Sequence, residues 1–185
     1  MARIPFVTAH DVPASEKPAF DRFVQSRGSI PKAGPYALLL HMPELAQRME
    51  SLRLCLREEA SLPQKLQELV MITLAREMDC GYIWHAHAAA ARAIGVRDDV
   101  IDSIREQRAL SGLNADEQAA VDFTRELLRN RKVSPATFAR ASASFGQRGT
   151  LTLTNLIACY AVLAYNMNTY ELEVPASATE KALPV

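Results

Sequence analysis

Glu68, Cys80, Tyr82, His85 and His87 put a carboxylate, a thiol, a phenol and two imidazoles into a stretch, 68–96, that is otherwise apolar and rich in alanine. A carboxyl and an imidazole can exchange protons near neutral pH, and a thiolate can attack a peroxide. On a helix, positions 80, 83 and 87 fall on one face, so His87 stands with Cys80, while His85 points about 200° away from His87. The same geometry splays the two imidazoles, and no Cys or carboxylate falls at a spacing that would complete a metal site, so none is assigned. Glu68 sits among Leu66, Leu69, Val70 and Leu74, where ionisation is costly, and an elevated pKa is the expectation. Asp79 is placed to cap the following helix and Gly95 to end it. That puts Cys80 in the first turn, where the positive end of the helix favours thiolate as long as the site is not wholly apolar. Tyr82, Trp84 and His85 are assigned to the substrate side of the pocket. Tyr82 also suits a core phenol, Trp84 a packing role, and Glu68 a salt bridge to an Arg from elsewhere.

These residues need helices to hold them. The run 64–78 has apolar residues nearly all round a helical period and predicts a buried helix, with Ser61 and Gln64 spaced as a capping box and Pro63 in the first turn. Ahead of it, Leu45, Met49, Leu52 and Leu56 form an apolar stripe on a helix of about 44–60, and Pro43 separates a short turn at 36–41. Residues 1–35 hold five of the ten prolines, with room for one short helix near 19–26. They read as an arm wrapped on the body or on a neighbour. Downstream, helices are expected near 98–107, over 115–130 behind an Asn114/Glu117 capping box, and from Pro135 to Gly146. A longer one, 147–171, follows. Residues 149–170 carry no charged side chain, but Thr150, Thr152, Thr154, Asn155, Asn166, Asn168 and Thr169 would each need a partner in lipid, so this is read as a core or subunit-interface helix. No stretch alternates as a strand. The prediction is an all-α chain of seven or eight helices: an arm at 1–35, a helical domain at 36–174 and a flexible tail at 175–185.

Composition agrees with one globular domain. The chain has 185 residues, 49% hydrophobic and 23% charged, and 21 basic against 21 acidic side chains give no electrostatic case for nucleic acid or a membrane surface. Three scattered cysteines, Cys55, Cys80 and Cys159, argue against a disulfide framework and for a reducing cytoplasm. The first residues show no signal-peptide core.

The spacing of the chemical residues resembles the carboxymuconolactone decarboxylase/AhpD superfamily. In its redox branch, the alkylhydroperoxidase AhpD, a Glu is followed after eleven residues by Cys-x-Tyr-Cys, then three residues and a His. This chain gives Glu68, eleven residues, Cys80, Gly81, Tyr82, Ile83, three residues and His87. Four of the five positions match, and Ile83 stands where the second, reactive cysteine would be. The stretches GPYALLLHMPELAQRM and SLPQKLQELVMITLAR are similar to the larger single-domain members, and the resemblance covers roughly residues 34–170.

The resemblance implies an AhpD-like helical fold, a homo-oligomer (dimer, trimer or hexamer), a small-molecule substrate and no cofactor. It also implies a site around Glu68, Cys80 and His87. Three functions are then open. The decarboxylase branch implies a cofactor-free lyase in which Glu68 and His87 exchange protons on a small carboxylated lactone or related acid. The substrate carboxylate would be met by Arg76, by Arg92 or by an Arg of another subunit. The redox branch implies a peroxiredoxin-like oxidoreductase, here a one-Cys thiol peroxidase working through Cys80, without a resolving thiol at position 83. The third is a non-catalytic binding protein of the same fold.

Overall fold

A computed structural model describes residues 2–59 and 62–184. Among these are eight α-helices and no strand: α1 (Lys17–Arg27), α2 (Gly34–Leu39), α3 (Pro43–Leu54), α4 (Gln64–Glu77), α5 (Gly81–Ala93), α6 (Asp98–Arg105), α7 (Ala115–Asn130) and α8 (Pro135–Thr169). A single π-helical turn, Cys55–Glu59, extends α3.

Helix α4 is the hub, packing on α5, α6, α7 and α8. Every residue from Leu66 to Ala75 is buried, including Gln67 and Glu68, as expected of a helix that is apolar nearly all round. It begins with Pro63 at the N-cap and no side-chain cap; Ser61, and with it the expected capping box, lies outside the described residues. Helix α7 has the expected reciprocal cap, Asn114 Oδ1 accepting from Glu117 N at 2.9 Å and Glu117 Oε2 from Asn114 N at 3.1 Å.

The expected break within the last long helical region is a kink. At Gly146 the backbone takes φ 65°, ψ −177°, interrupting α8 where only glycine adopts such angles at low cost. Beyond it, Leu153, Leu156, Ile157, Tyr160, Leu163, Ala164 and Met167 turn inward. By length and composition α8 could cross a bilayer, yet 56% of its most apolar window is buried against the other helices, as befits a core helix. Its outer face keeps Leu151, Asn155, Ala158, Val162 and Tyr165 exposed.

Helix α3 follows the expected pattern in part. Met49 and Leu56 of the expected stripe are buried and Leu45 packs on the core, but Leu52 is 42% exposed, and beside the apolar stripe a polar one also turns inward: Glu50 (3% exposed), then Arg53 and Arg57. Glu50 holds Arg53 through two hydrogen bonds of 2.8 and 3.0 Å and Arg27 of α1 at 3.0 Å. The described residues near both ends lie on the body. Arg3 N donates to Tyr170 O at 3.0 Å. The 175–184 stretch, expected to be loose, runs along α5 and α6, its carbonyls at Lys181 and Ala182 accepting from Trp84 Nε1 (2.8 Å) and Arg105 Nη1 (3.2 Å).

Candidate active site

Four elements converge on Glu68. Helix α4 carries the carboxylate, α5 the imidazole of His87, the π turn the guanidinium of Arg57, and α8 the phenol of Tyr160. Glu68 is 2% exposed, and its two oxygens are divided: Oε2 lies 2.6 Å from His87 Nδ1, and Oε1 accepts from Arg57 Nη2 at 2.5 Å. Arg57 Nη1 donates to Tyr160 Oη at 3.1 Å, and the His87 and Tyr160 rings meet edge to face at 5.2 Å. Gln67, adjacent to Glu68, uses its amide to clamp the turn that bears Arg57, Nε2 donating to Arg57 O (3.1 Å) and to Leu62 O (2.8 Å). Inserting a π turn in place of a regular one re-aims the side chains that follow it, a device common at functional sites.

Electrostatics follow from this packing. Burial pushes the Glu68 carboxyl up, but the hydrogen bond and charge of His87 and then of Arg57 outweigh it, so the carboxyl lies below the ordinary glutamate range. The expected upward shift is thereby corrected: an apolar helix alone would raise it, and the partners reverse the sign. Burial raises Tyr160, against the opposing pull of Arg57, so its hydroxyl stays protonated. With an ionised Glu68 accepting from Nδ1–H, His87 is held in one tautomer and its other nitrogen, Nε2, is left for chemistry.

An open cavity of about 710 Å³ reaches this pair. Its wall includes Glu68 and His87 together with Arg53, Arg57, Gln64 and Gln67. Arg53, 22% exposed, is pinned by Glu50 on one side and reaches the cavity on the other. The arginines expected to meet a carboxylate are elsewhere: Arg76 pairs with Asp79, and Arg92 with Asp98 and Glu180, both away from the cavity.

The structure separates the other predicted residues from the Glu68 pair. Cys80 is fully buried and is the N-cap of α5, not a first-turn residue. Burial raises its thiol pKa, only partly offset by the backbone N–H groups of Ile83 and Tyr82. The condition for a thiolate is therefore not met: the helix end does act on the sulfur, but desolvation wins. Asp79, expected as the cap, has φ 48° and turns to Arg76. Cys80 also lies two turns from His87, about 10 Å along the axis, and is not on the cavity wall. Tyr82 faces a different cavity, beside the N-terminal arm, while Trp84 and His85 face a third, beneath the 174–184 segment. Helix α5 thus shows different faces to different spaces, and only the His87 face meets Glu68. Among the described residues no group of three or more His, Cys, Asp or Glu converges as for a metal ion.

Arg53, Arg57, Gln67 and Tyr160 belong to this site and were not singled out by sequence reasoning. The available signal was the repeat Glu50, Arg53, Arg57 at helical spacing, which places three charged groups on one face next to a buried acid.

Residues 43–126 match the model of the carboxymuconolactone decarboxylase family. Among solved structures, an uncharacterised peroxidase-related protein from Silicibacter sp. TM1040 superposes with TM-score 0.75 at 14% identity, over 97% of this chain and 95% of that one. An AhpD-core, peroxidase-related protein from Ralstonia eutropha JMP134 gives TM-score 0.73 at 16% identity, covering 95% and 93%. A cysteine-to-alanine variant of the debrominase Bmp8, in complex with 2,3,4-tribromopyrrole, gives 0.71 at 16%, covering 94% and 91%. Curated protein sequences give no match. The structural likenesses establish the fold, and the segment 43–126 within it is similar to the carboxymuconolactone decarboxylase family.

Proposed function

We propose that the protein is a cofactor-free lyase of the carboxymuconolactone decarboxylase type, acting by proton transfer on a small carboxylated lactone or a related acid in the Glu68/His87 cavity. The observation that carries this is the division of one buried carboxylate between an imidazole at 2.6 Å and a guanidinium at 2.5 Å, in the wall of a cavity open to solvent. Glu68 fixes the imidazole and balances its charge, and His87 Nε2 moves the proton. Arg53 receives the substrate carboxylate, since it lines the cavity and is held in place by Glu50. Loss of carbon dioxide breaks a carbon–carbon bond and leaves its electron pair on the substrate, delocalised toward a carbonyl. Protonation of that carbon by the imidazolium of His87 completes the step and leaves the ring neutral.

The size of the cavity suits a small cyclic acid, and the fold relative holding tribromopyrrole is an instance of this architecture with a small ring bound. The thiol-peroxidase alternative draws less support, because Cys80 is sealed and its thiol is raised in pKa, whereas peroxide attack needs an accessible thiolate. We further place the protein in a reducing cytoplasm, as a homo-oligomer that covers the exposed apolar face of α8.

The test assays His87→Ala, Arg53→Met and Cys80→Ser with acidic lactones and with organic hydroperoxides, checking each variant for thermal unfolding. Lactone turnover is expected to fall about 10²- to 10⁴-fold in His87→Ala and to survive Cys80→Ser. Arg53→Met is expected to act mainly by raising KM. Hydroperoxide turnover that vanishes in Cys80→Ser, with no lactone turnover in the wild type, would replace this reading by the peroxidase one.

A further inference from the structure

The cavity beside the N-terminal arm is unused by the chemistry above. It measures about 620 Å³ and is walled by Ile4, Phe6, Tyr82, Leu172, Val174 and Pro175, with Gly34 at one side. Tyr82 is the second residue of α5, five positions before His87, so the two side chains leave the helix about 140° apart and serve separate spaces.

Besides Arg3 and Glu173, both of which have partners, the wall carries the Tyr82 hydroxyl. It is half-buried, remains accessible, and has no hydrogen-bond partner among the described residues. Burial raises its pKa, so it is a neutral O–H with a proton to donate. Gly34 makes room for it. A Cβ at that position would lie 2.8 Å from the Tyr82 oxygen, and φ there is +80°, so both the space and the backbone call for glycine. The cation in the wall, Arg3, is already engaged: its guanidinium donates to Thr169 O at 2.9 Å and pairs with Glu171. With Glu173 engaged as well, a charged ligand would enter a mostly apolar cavity whose charged groups are already paired, at a desolvation cost.

We infer that this cavity is a second binding site, taking an uncharged, largely apolar small molecule with one hydrogen-bond acceptor placed to receive the Tyr82 hydroxyl. Mostly apolar walls of this volume with a few placed polar groups are the usual make-up of a small-molecule site. The site does not depend on the lyase reading, because it shares no wall residue with the Glu68 cavity.

Prodan, a neutral naphthalene ketone whose emission moves to the blue in apolar surroundings, is a suitable probe. Titrated into the full chain, it is expected to bind saturably at one site with blue-shifted emission. Tyr82→Phe removes the donor and should weaken binding about three- to tenfold, the worth of one hydrogen bond. Ala33→Trp, at an exposed position on the cavity rim, should abolish it by filling the entrance while leaving the core untouched. Glu68→Gln should leave prodan affinity as in the wild type, whatever it does to lactone turnover. Absence of saturable blue-shifted emission, or unchanged affinity in both Tyr82→Phe and Ala33→Trp with melting as in the wild type, would overturn the assignment.

Discussion

Replacing Glu68 by Gln tests the electrostatic account of the site without reference to any substrate. The substitution keeps shape and one acceptor for Arg57 but removes the charge that both Arg57 and His87 face. Removing one partner from a sealed ion pair costs about 3–5 kcal/mol. Arg57 keeps Tyr160 as an acceptor at 3.1 Å and is 14% exposed on an open cavity, so water relieves part of that cost. The expected loss is about 2–3 kcal/mol, which for a chain of this size lowers Tm by about 5–10 °C.

The pH dependence carries a sign. The folded carboxyl lies below the ordinary glutamate value of 4.5, so its contribution to stability is complete above that value and is lost as pH falls through the lower, folded one. Chemical denaturation of wild type and Glu68→Gln, run in parallel from neutrality into acid, should show a gap that is wide at neutrality and closes below pH 4.5. A gap that is absent at neutrality, or that widens in acid, would refute the reasoning, since the carboxylate would then not be stabilised by its partners.

Other consequences are as direct. A thiol reagent added to the folded protein should modify Cys55 quickly and leave Cys80 and Cys159 until denaturant is added, because the first is exposed and the others are buried, with the Cys159 thiol raised to about 11. Gln67→Leu should destabilise by about 1–3 kcal/mol, through loss of the hydrogen bonds to Arg57 O in the π turn and to Leu62 O beyond it; in the lyase reading it should also lower turnover, because the backbone that carries Arg57 loses its tether. Leu151→Glu with Tyr165→Glu puts charge on the exposed face of α8 and should turn an oligomer into a 20.4 kDa monomer by light scattering. A wild type already monomeric at micromolar concentration would sink that expectation.

How much of this was legible in the sequence depends on the kind of signal. Helix α4 could be read because a run of apolar residues closing a helical period has few places to go but the core. The start of α7 and the break at Gly146 were legible because capping and left-handed backbone have specific residue requirements, whereas the end of α7 at Arg131, left-handed without a glycine, was not. The Glu68/His87 contact was suggested by spacing and resemblance together. What failed was inference about environment. Glu50, Arg53 and Arg57 look like an exposed face, and only the tertiary packing of α1, α4 and α8 around them makes them buried pairs. The sign of the Glu68 shift depended on the same unseen arginine. Cys80 was placed one position too far into its helix. Whether dipole or desolvation governs the thiol is decided by neighbours distant in sequence.

The central claim is that His87, held by Glu68, delivers a proton to a substrate carbon. The most direct measurement is turnover of a small carboxylated lactone in D₂O, followed by NMR of the product. The account predicts one solvent deuterium at the carbon that loses carbon dioxide, at a rate that collapses in His87→Ala and persists in Cys80→Ser. Deuterium incorporation at equal rates in wild type and His87→Ala, with both proteins folded, would contradict it.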